Sequence, residues 1–409
     1  MLKYPKLIFG VLMLLRNILL LSTLSLGLLH ADELLDLLSD NNKQIIEYQK
    51  KRNTLESDKL KNSWISPVTV SYNKSYTQQY KSGKVDTGSF SIGIDQPVFK
   101  SGGIFFAIKY SEAVRNLNGI SIDIAQKEMI VNALSLLYNI KKLKLQKAKL
   151  ALLVKNDEID IRQKRDSYTN GLIDSSFLDQ AILKKNSDET QLLELELSIE
   201  KLKNSFALLS DKNPESLKLP KLKLIKAKRY KGKNLELIKK RFEAREKKYS
   251  SKMTWTQYLP TVSLQARYTD GDLNPLFGNP AVMREAYKTY GFTISMPISI
   301  NSLKDIESSK VAYMEAQTRL FEKRKEIDNE YKLALKNLSI LNRKIALAKK
   351  DERLYGRLYR TTRNLQKAGE KTKWDTQLMH NSLRIKKYDQ RIFAIDRELQ
   401  LLTLYAKVI

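Results

Sequence analysis

Two hydrophobic periods alternate along this chain, and the points where one replaces the other set out its plan. From Glu33 to about Ser63, Leu34, Leu37, Leu38, Ile45 and Leu55 recur at helical spacing with charges between them, and the pattern stops at Trp64 and Pro67. The period then becomes two. Val68, Val70 and Tyr72 alternate with Thr69 and Ser71, and after a turn-rich stretch through Gly83 and Gly88, Phe90, Ile92 and Ile94 alternate with Ser91 and Gly93. This predicts strands over about 66–80 and 89–99, each with one apolar and one small polar side. The second strand runs through Asp95-Gln96-Pro97-Val98-Phe99 into Lys100-Ser101-Gly102-Gly103, where the helical period returns.

From about 104 to 168 there is no proline and a single interior glycine, Gly119, so the stretch reads as one helix, on the order of 100 Å long at the standard rise per residue. It breaks at Tyr168-Thr169-Asn170-Gly171-Leu172, and a shorter helix follows from about Asp174 to Ser210. Residues 211–232, with Pro214, Pro220 and a basic run, read as a connector outside the regular helices. The order then repeats: a helix from about Asn234 to Trp255, strands over about 258–269 and 288–298 separated by a Gly/Pro/Asn-rich loop from Asp270 to Pro280, a long helix over about 303–365, a break at Lys367-Ala368-Gly369-Glu370, and a final arm from Asp375.

The second long helix carries Ile327, Tyr331, Ala334, Leu338, Leu341, Ile345 and Ala348 at steps of four and three, the spacing of a coiled-coil seam. Moving back 198 residues gives Met129, Ala133, Leu136, Ile140, Leu143, Lys147 and Leu150, and carries Gly369 onto Gly171. Two halves in register over this distance predict an internal duplication, with residues 32–210 and 233–409 each built as helix, strand, strand, long helix, short helix. The fold class expected is therefore mainly α with a small β portion.

The first residues add a compartment. Lys3 and Lys6 precede an apolar run, a second run from Ile18 to Leu29 ends at His30-Ala31, and acidic Asp32-Glu33 follow, so residues 1–31 read as a cleaved secretory signal, with Met1 or Met13 as its start. No cysteine is present, which excludes disulfides, thiolate metal sites and a lipid-modified N-terminal cysteine; with His30 and His380 the only histidines, a histidine-based metal or catalytic site is unexpected. No phosphate-binding glycine loop, nucleophile elbow or zinc helix occurs in a supporting context, so neither catalysis nor a cofactor is expected. The net charge of +28 raises nucleic acid as a partner, but the cations are interleaved with Glu and Asp along nearly every helix and lack stacking aromatics beside them, so solvated helix faces are the preferred reading and no nucleic acid is expected.

Strand pairs with apolar residues opposite small polar ones suit a lipid-facing exterior and a watery interior, and a bilayer tolerates strands only in a closed barrel. Four strands are too few to enclose water, whereas three copies would supply twelve, an even number within the usual range. Trp64, Tyr258 and Tyr290 fall near strand ends, where an aromatic girdle would lie. The competing reading is a small sheet capping a coiled coil, a soluble or surface-attached scaffold that could bind nucleic acid through its charge.

At this point the residues resemble the TolC-like outer membrane efflux protein family (outer membrane factors). Asp95-Gln-Pro-Val-Phe-Lys-Ser-Gly-Gly is similar to the family's strand-to-helix signature, Met296-Pro-Ile-Ser-Ile to its second-half counterpart with Asn301-Ser302 in place of glycines, and Tyr168-Thr-Asn-Gly-Leu and Ala368-Gly-Glu-Lys-Thr to the glycine turns at the family's periplasmic tips. The resemblance implies a homotrimer with a shared 12-stranded barrel in the outer membrane of a Gram-negative bacterium and a long α-helical barrel across the periplasm. It also implies docking of a periplasmic adaptor coupled to an inner-membrane transporter, for export of drugs, metals or proteins. By motif position Pro97, Gly102, Gly103 and Pro297 mark the strand-to-helix junctions, Gly171, Leu172 and Gly369 the docking tips, and Lys371 and Asp375 the pore gate. Leu378 and Phe177 stand where the family's pattern has acidic residues.

Overall fold

The computed structural model describes residues 35–408 apart from 81–82 and 272–285. The expected signal over 1–31 and most of the loop from Asp270 to Pro280 lie outside the described residues. The elements run α1 (Asp40–Lys61), β1 (Thr69–Tyr80), β2 (Gly83–Phe99), α2 (Gly103–Thr169), α3 (Ser175–Ala207), α4 (Ala227–Gly232), α5 (Leu235–Gln257), β3 (Thr261–Gly271), β4 (Tyr287–Ser295), α6 (Ser302–Lys367) and α7 (Lys373–Ala406). The order helix, strand, strand, long helix, shorter helix thus occurs twice, with α2 and α6 at 67 and 66 residues.

Two details depart from the sequence pattern. Strand β2 begins at Gly83, where a turn-rich stretch was expected through Gly88, because backbone pairing with β1 continues from Ser75 opposite Thr87 to Tyr80 opposite Gly83. Ladder hydrogen bonds do not need apolar side chains, so the period-two signal fades before the strand does. The connector also contains a turn of helix, α4, where none was expected. Its Tyr230 is buried, with the ring 5.1 Å from that of Tyr331 and the hydroxyl donating to Glu330 at 3.4 Å.

The chain divides into two compact units, each drawing on both halves of the sequence. One contains Ile45–Lys127, Leu224–Ser339 and Thr403–Ile409, hence the sheet and the adjoining parts of α2 and α6. The sheet is antiparallel in the order β1-β2-β3-β4, so β1 and β4 are its edges. Along the helices of this unit Ala113, Ile327, Leu235, Leu237 and Val408 are buried. Lys407 pairs with Glu236 at 3.2 Å and Glu330 at 3.1 Å.

The other unit holds the described part of Met1–Gln44 together with Glu128–Lys223 and Ile340–Leu402. In it α2 lies between α3 and α7. Lys147 pairs with Glu196 of α3 at 2.8 Å and Lys184 of α3 with Asp157, while Lys149 meets Asp389 of α7 at 2.7 Å and Asn381 donates to Asn156 at 2.9 Å. Helix α7 has α6 on its far side, through Lys386 and Asp351 at 3.9 Å and the rings of Tyr359 and His380 at 5.2 Å. The helices are therefore ordered α3, α2, α7, α6, and among the described residues no polar or ring contact joins α3 to α6. Both edge helices expose large apolar residues: Leu183, Leu193 and Leu197 on α3, and Ile340, Leu347 and Leu354 on α6.

Candidate functional site: the sheet faces, the junctions and the helical tips

Side chains directly opposite each other in an antiparallel ladder share a face, so the register assigns every residue of the sheet to a side. One face carries Tyr72 opposite Phe90, Val70 opposite Ile92 and Tyr268, Ile94 opposite Ala266 and Tyr290, Leu264 opposite Phe292, and Val262 opposite Ile294. The other carries Thr69, Gly93, Arg267 and Thr289 in one row, Ser71, Ser91 and Thr269 in the next, then Asp95, Gln265 and Gly291. Its polar groups bond one another: Ser71 to Ser91 at 2.8 Å, and Gln265 to Asp95 at 3.2 Å.

The apolar face is uncovered, with Phe292 at 69% and Val70 at 62% of full exposure. Burying such residues is worth roughly 1.5–3 kcal/mol each, so a contiguous exposed band marks a surface made for an apolar neighbour. Among the described side chains three charges interrupt it: Lys74 opposite Gly88, Asp270 opposite Phe90 and Lys288 opposite Tyr268, the last two next to the β3–β4 loop. Strands of 11 and 9 residues in β3 and β4 are long enough to cross a hydrocarbon core when tilted. Of the three aromatics expected in a girdle, Tyr290 lies on the apolar face, whereas the Tyr258 hydroxyl donates to Asp305 of α6 and the Trp64 carbonyl accepts from Gln96.

The first junction is held by contacts its motif did not announce. The Gln96 amide donates to the carbonyls of Trp64 at 3.1 Å and Pro97 at 2.9 Å and accepts from the Ser66 N–H at 2.9 Å, clamping the entry to β1 against the end of β2. Pro97, which has no N–H to give, sits at a register shift opposite Ser263. The chain then turns through Ser101 and Gly102, both at positive φ (47° and 86°), closed by the Gly103 N–H on the Lys100 carbonyl at 2.7 Å. The Ser101 hydroxyl anchors this turn on the Pro260 carbonyl at 2.7 Å.

The two glycines serve different ends. Gly102 is needed for its φ, while a Cβ on Gly103 would stand 3.1 Å from Thr256 Oγ1 and 3.3 Å from Lys100 Cβ. The second junction replaces both devices with a serine: Ser299 accepts from the Ser302 N–H at 3.1 Å through its carbonyl and from the Asn301 N–H at 3.3 Å through its hydroxyl, with no positive φ. Pro297 follows the last strand residue, Ser295, by two positions. Gly103→Val is expected to lower the yield of assembled protein severalfold, and Gly102→Ala to cost about 1 kcal/mol from the left-handed φ; thermal unfolding of both variants measures this, and an unshifted Gly103→Val would remove the close-packing argument.

At the tips the two halves use one device. The N–H of Leu172 bonds the Ser167 carbonyl at 2.8 Å with Gly171 at φ +67°, and the N–H of Glu370 bonds the Leu365 carbonyl at 2.9 Å with Gly369 at φ +81°. Each is the glycine-terminated helix end in which a left-handed residue lets the next N–H reach back. Nothing lies near either glycine, so conformation alone requires them. Leu172 and Phe177 are exposed.

Asp375 has a structural task. Its Oδ2 accepts from the Thr372 N–H at 3.0 Å and hydroxyl at 2.9 Å, and the Asp375 N–H returns a bond to Thr372 Oγ1 at 3.1 Å, a reciprocal capping box at the start of α7. The Thr372 N–H and hydroxyl, with Lys371 nearby, hold this carboxyl below its ordinary 3.8. Because the folded value is depressed, the cap's contribution is complete above the ordinary value and disappears as pH falls through the lower, folded one. Thr372→Ala is expected to cost about 1 kcal/mol and to speed amide exchange over residues 373–376 at neutral pH; unchanged exchange would show that the box does not hold this end. Next to it Trp374 lies under Arg162 at 4.9 Å and Lys373 at 4.8 Å, a cation pair absent from the motif reading.

The described residues thus place a one-sided apolar sheet and two glycine-capped helical hairpins on one chain, the fold of the outer membrane channels. The outer membrane protein VceC from Vibrio cholerae is similar over 92% of this chain and 96% of its own, at 16% identity and a TM-score of 0.70. The Campylobacter jejuni CmeC outer membrane channel is similar over 92% and 85%, at 13% identity and 0.72, and the Neisseria gonorrhoeae MtrE outer membrane channel over 92% and 87%, at 12% and 0.67. No protein-family model and no curated protein matches the chain. Among the described residues no helix is long and apolar enough to cross a membrane.

Proposed function

We propose that the chain is a passive efflux duct of the outer membrane. Three copies share a twelve-stranded barrel whose apolar face meets lipid, and their helices continue into the periplasm, where the tips meet a periplasmic adaptor and an inner-membrane transporter. The observation that carries this reading is the sorting of the sheet: the apolar side chains gather on one face and most of them are exposed, small polar residues predominate on the other, and among the described residues β1 and β4 each pair on one side only. A sheet capping a soluble coiled coil would turn its apolar rows onto helices.

In this account Pro97, Gly102, Gly103 and Pro297 mark the passage from barrel to tunnel in two sequence repeats. Gly171, Leu172 and Gly369 form the docking tips, and Lys371 and Asp375 sit at the inner constriction. The energy comes from the transporter, the cargo being drugs, metals or proteins, and the duct opens when its packed tip helices shift. Fractionation of cells tests the proposal: a trimer in the outer membrane that resists heating in SDS supports it, and a soluble monomer or dimer would end it.

A further inference from the structure

The apolar face of the sheet is not evenly filled. Ala266 stands opposite Ile94 on one side and Tyr290 on the other, and its methyl is far smaller than either neighbour, so the surface dips there. The dip is an open groove of about 340 Å3, walled by Val68, Ile92, Ile94, Tyr268 and Tyr290. Nothing in the chain covers it, and Tyr290 is 85% exposed. Assembly leaves it open too, because the edge strands β1 and β4 meet neighbouring copies in the plane of the sheet and not on its face.

Lys288 closes the end of the groove nearest the β3–β4 loop, opposite Tyr268. It is exposed, and among the described residues its ammonium has no hydrogen-bond or ion-pair partner. By register Asp270 lies one row further out on β3, opposite Phe90. From Ser295, the last residue of β4, Lys288 is seven residues away. That is roughly 24 Å along a strand, or about 17 Å in height at a tilt near 45°. The lipid-facing band of a membrane barrel is about 25 Å tall. A lysine at this height lays its methylenes along apolar surface and carries its ammonium to the headgroups.

We infer that the groove holds an acyl chain of a lipid whose phosphate monoester sits on Lys288, in the leaflet away from the helices. An apolar channel ending in a bare cation fits an amphiphile with an anionic head. Lysine is a compact point charge suited to phosphate oxygens, and a phosphate monoester carries close to two negative charges near neutral pH. A zwitterionic headgroup brings its own cation, which Lys288 repels. Hydrocarbon surrounds the whole face, so the groove supplies shape and Lys288 supplies the choice of headgroup. Asp270 repels phosphate and confines it to the groove side of Lys288. The inference rests on the efflux reading for the lipid around this face.

The full chain in detergent is sized by light scattering and then titrated, with native mass spectrometry as the readout, with phosphatidic acid, phosphatidylcholine of the same chains, and inorganic phosphate. Phosphatidic acid is expected to bind roughly fivefold more tightly than phosphatidylcholine, the effect of one lysine at a membrane surface. K288Q should remove that preference and K288R keep it, while A266F, which fills the groove, should weaken both lipids. R267Q, changed on the opposite face, and D270N should discriminate like the parent. Equal binding of the two lipids, a K288Q variant that still discriminates, or displacement of the lipid by inorganic phosphate would each overturn the inference. A266L gives the groove reading should A266F fail to fold. A trimer without lipid preference ends the site and leaves the duct standing, whereas a monomer ends the duct and its own lipid preference then judges the groove.

Discussion

Arginine at Leu264 or Phe292 is expected to strip the protein from the outer membrane fraction, while arginine at Thr293, one residue away on the opposite face, is expected to leave it there. Leu264 and Phe292 are direct ladder partners near mid-strand on the apolar face, whereas Thr293 pairs with Ser263 on the polar one. A cation at the midplane of a lipid-facing barrel surface costs about 2–4 kcal/mol. Every copy in a closed assembly bears the change, so a trimer would carry that penalty three times. On the lumen side the same residue keeps its hydration. Heat-resistant trimers in washed outer membranes provide the readout. Equal loss for all three variants would point to general misfolding, and equal tolerance would mean that the apolar rows do not face lipid.

A second large effect is expected on the helices. Leu347→Glu with Leu354→Glu should convert the assembly to monomers, and Leu183→Glu with Leu193→Glu should do the same from the other side. In the layer α3, α2, α7, α6 the two edge helices leave these leucines bare, at 60% for Leu347 and 67% for Leu183. A ring closes only if the edge of one copy meets the opposite edge of the next, which is the head-to-tail arrangement of a cyclic oligomer. Each leucine buried there is worth roughly 1.5–3 kcal/mol, so the paired changes remove several kilocalories from each of the interfaces. Light scattering on the detergent-solubilised protein reports the mass, and a trimer surviving both pairs would place the contact elsewhere.

Much of the architecture was legible because its signals are periodic. The change from steps of three and four to steps of two at Val68, and back again after Gly103, locates the long helices and, apart from the start of β2, the strands to within about three residues, and the register places the expected apolar rows on one face of one sheet. The early start of β2 at Gly83 carried no such signal, since Val85 is the one aliphatic residue in Gly83-Lys84-Val85-Asp86-Thr87 and a single apolar position shows no period. The single turn α4 was hidden because six residues are too few to display a period.

The site was legible to a smaller depth. Gly171 and Gly369 could be read as helix terminators, whereas Thr372 as the partner of Asp375 in a capping box becomes plain only from their reciprocal bonds. The Gln96 clamp depends on residues thirty positions apart, which no local spacing encodes. The paired glycines looked like one motif, yet one answers to φ and the other to Thr256 across the junction.

The claim beneath all of this is that β4 of one copy pairs with β1 of the next until three copies close. The chain has no cysteine of its own, so introduced pairs report without background. With Ser71→Cys or Asn73→Cys on β1 combined with Thr289→Cys or Thr293→Cys on β4, mild oxidation of cells should give covalent dimers and trimers in denaturing gels, ending at three copies. Products confined to monomers for every pair, or a ladder running past three, would contradict the account.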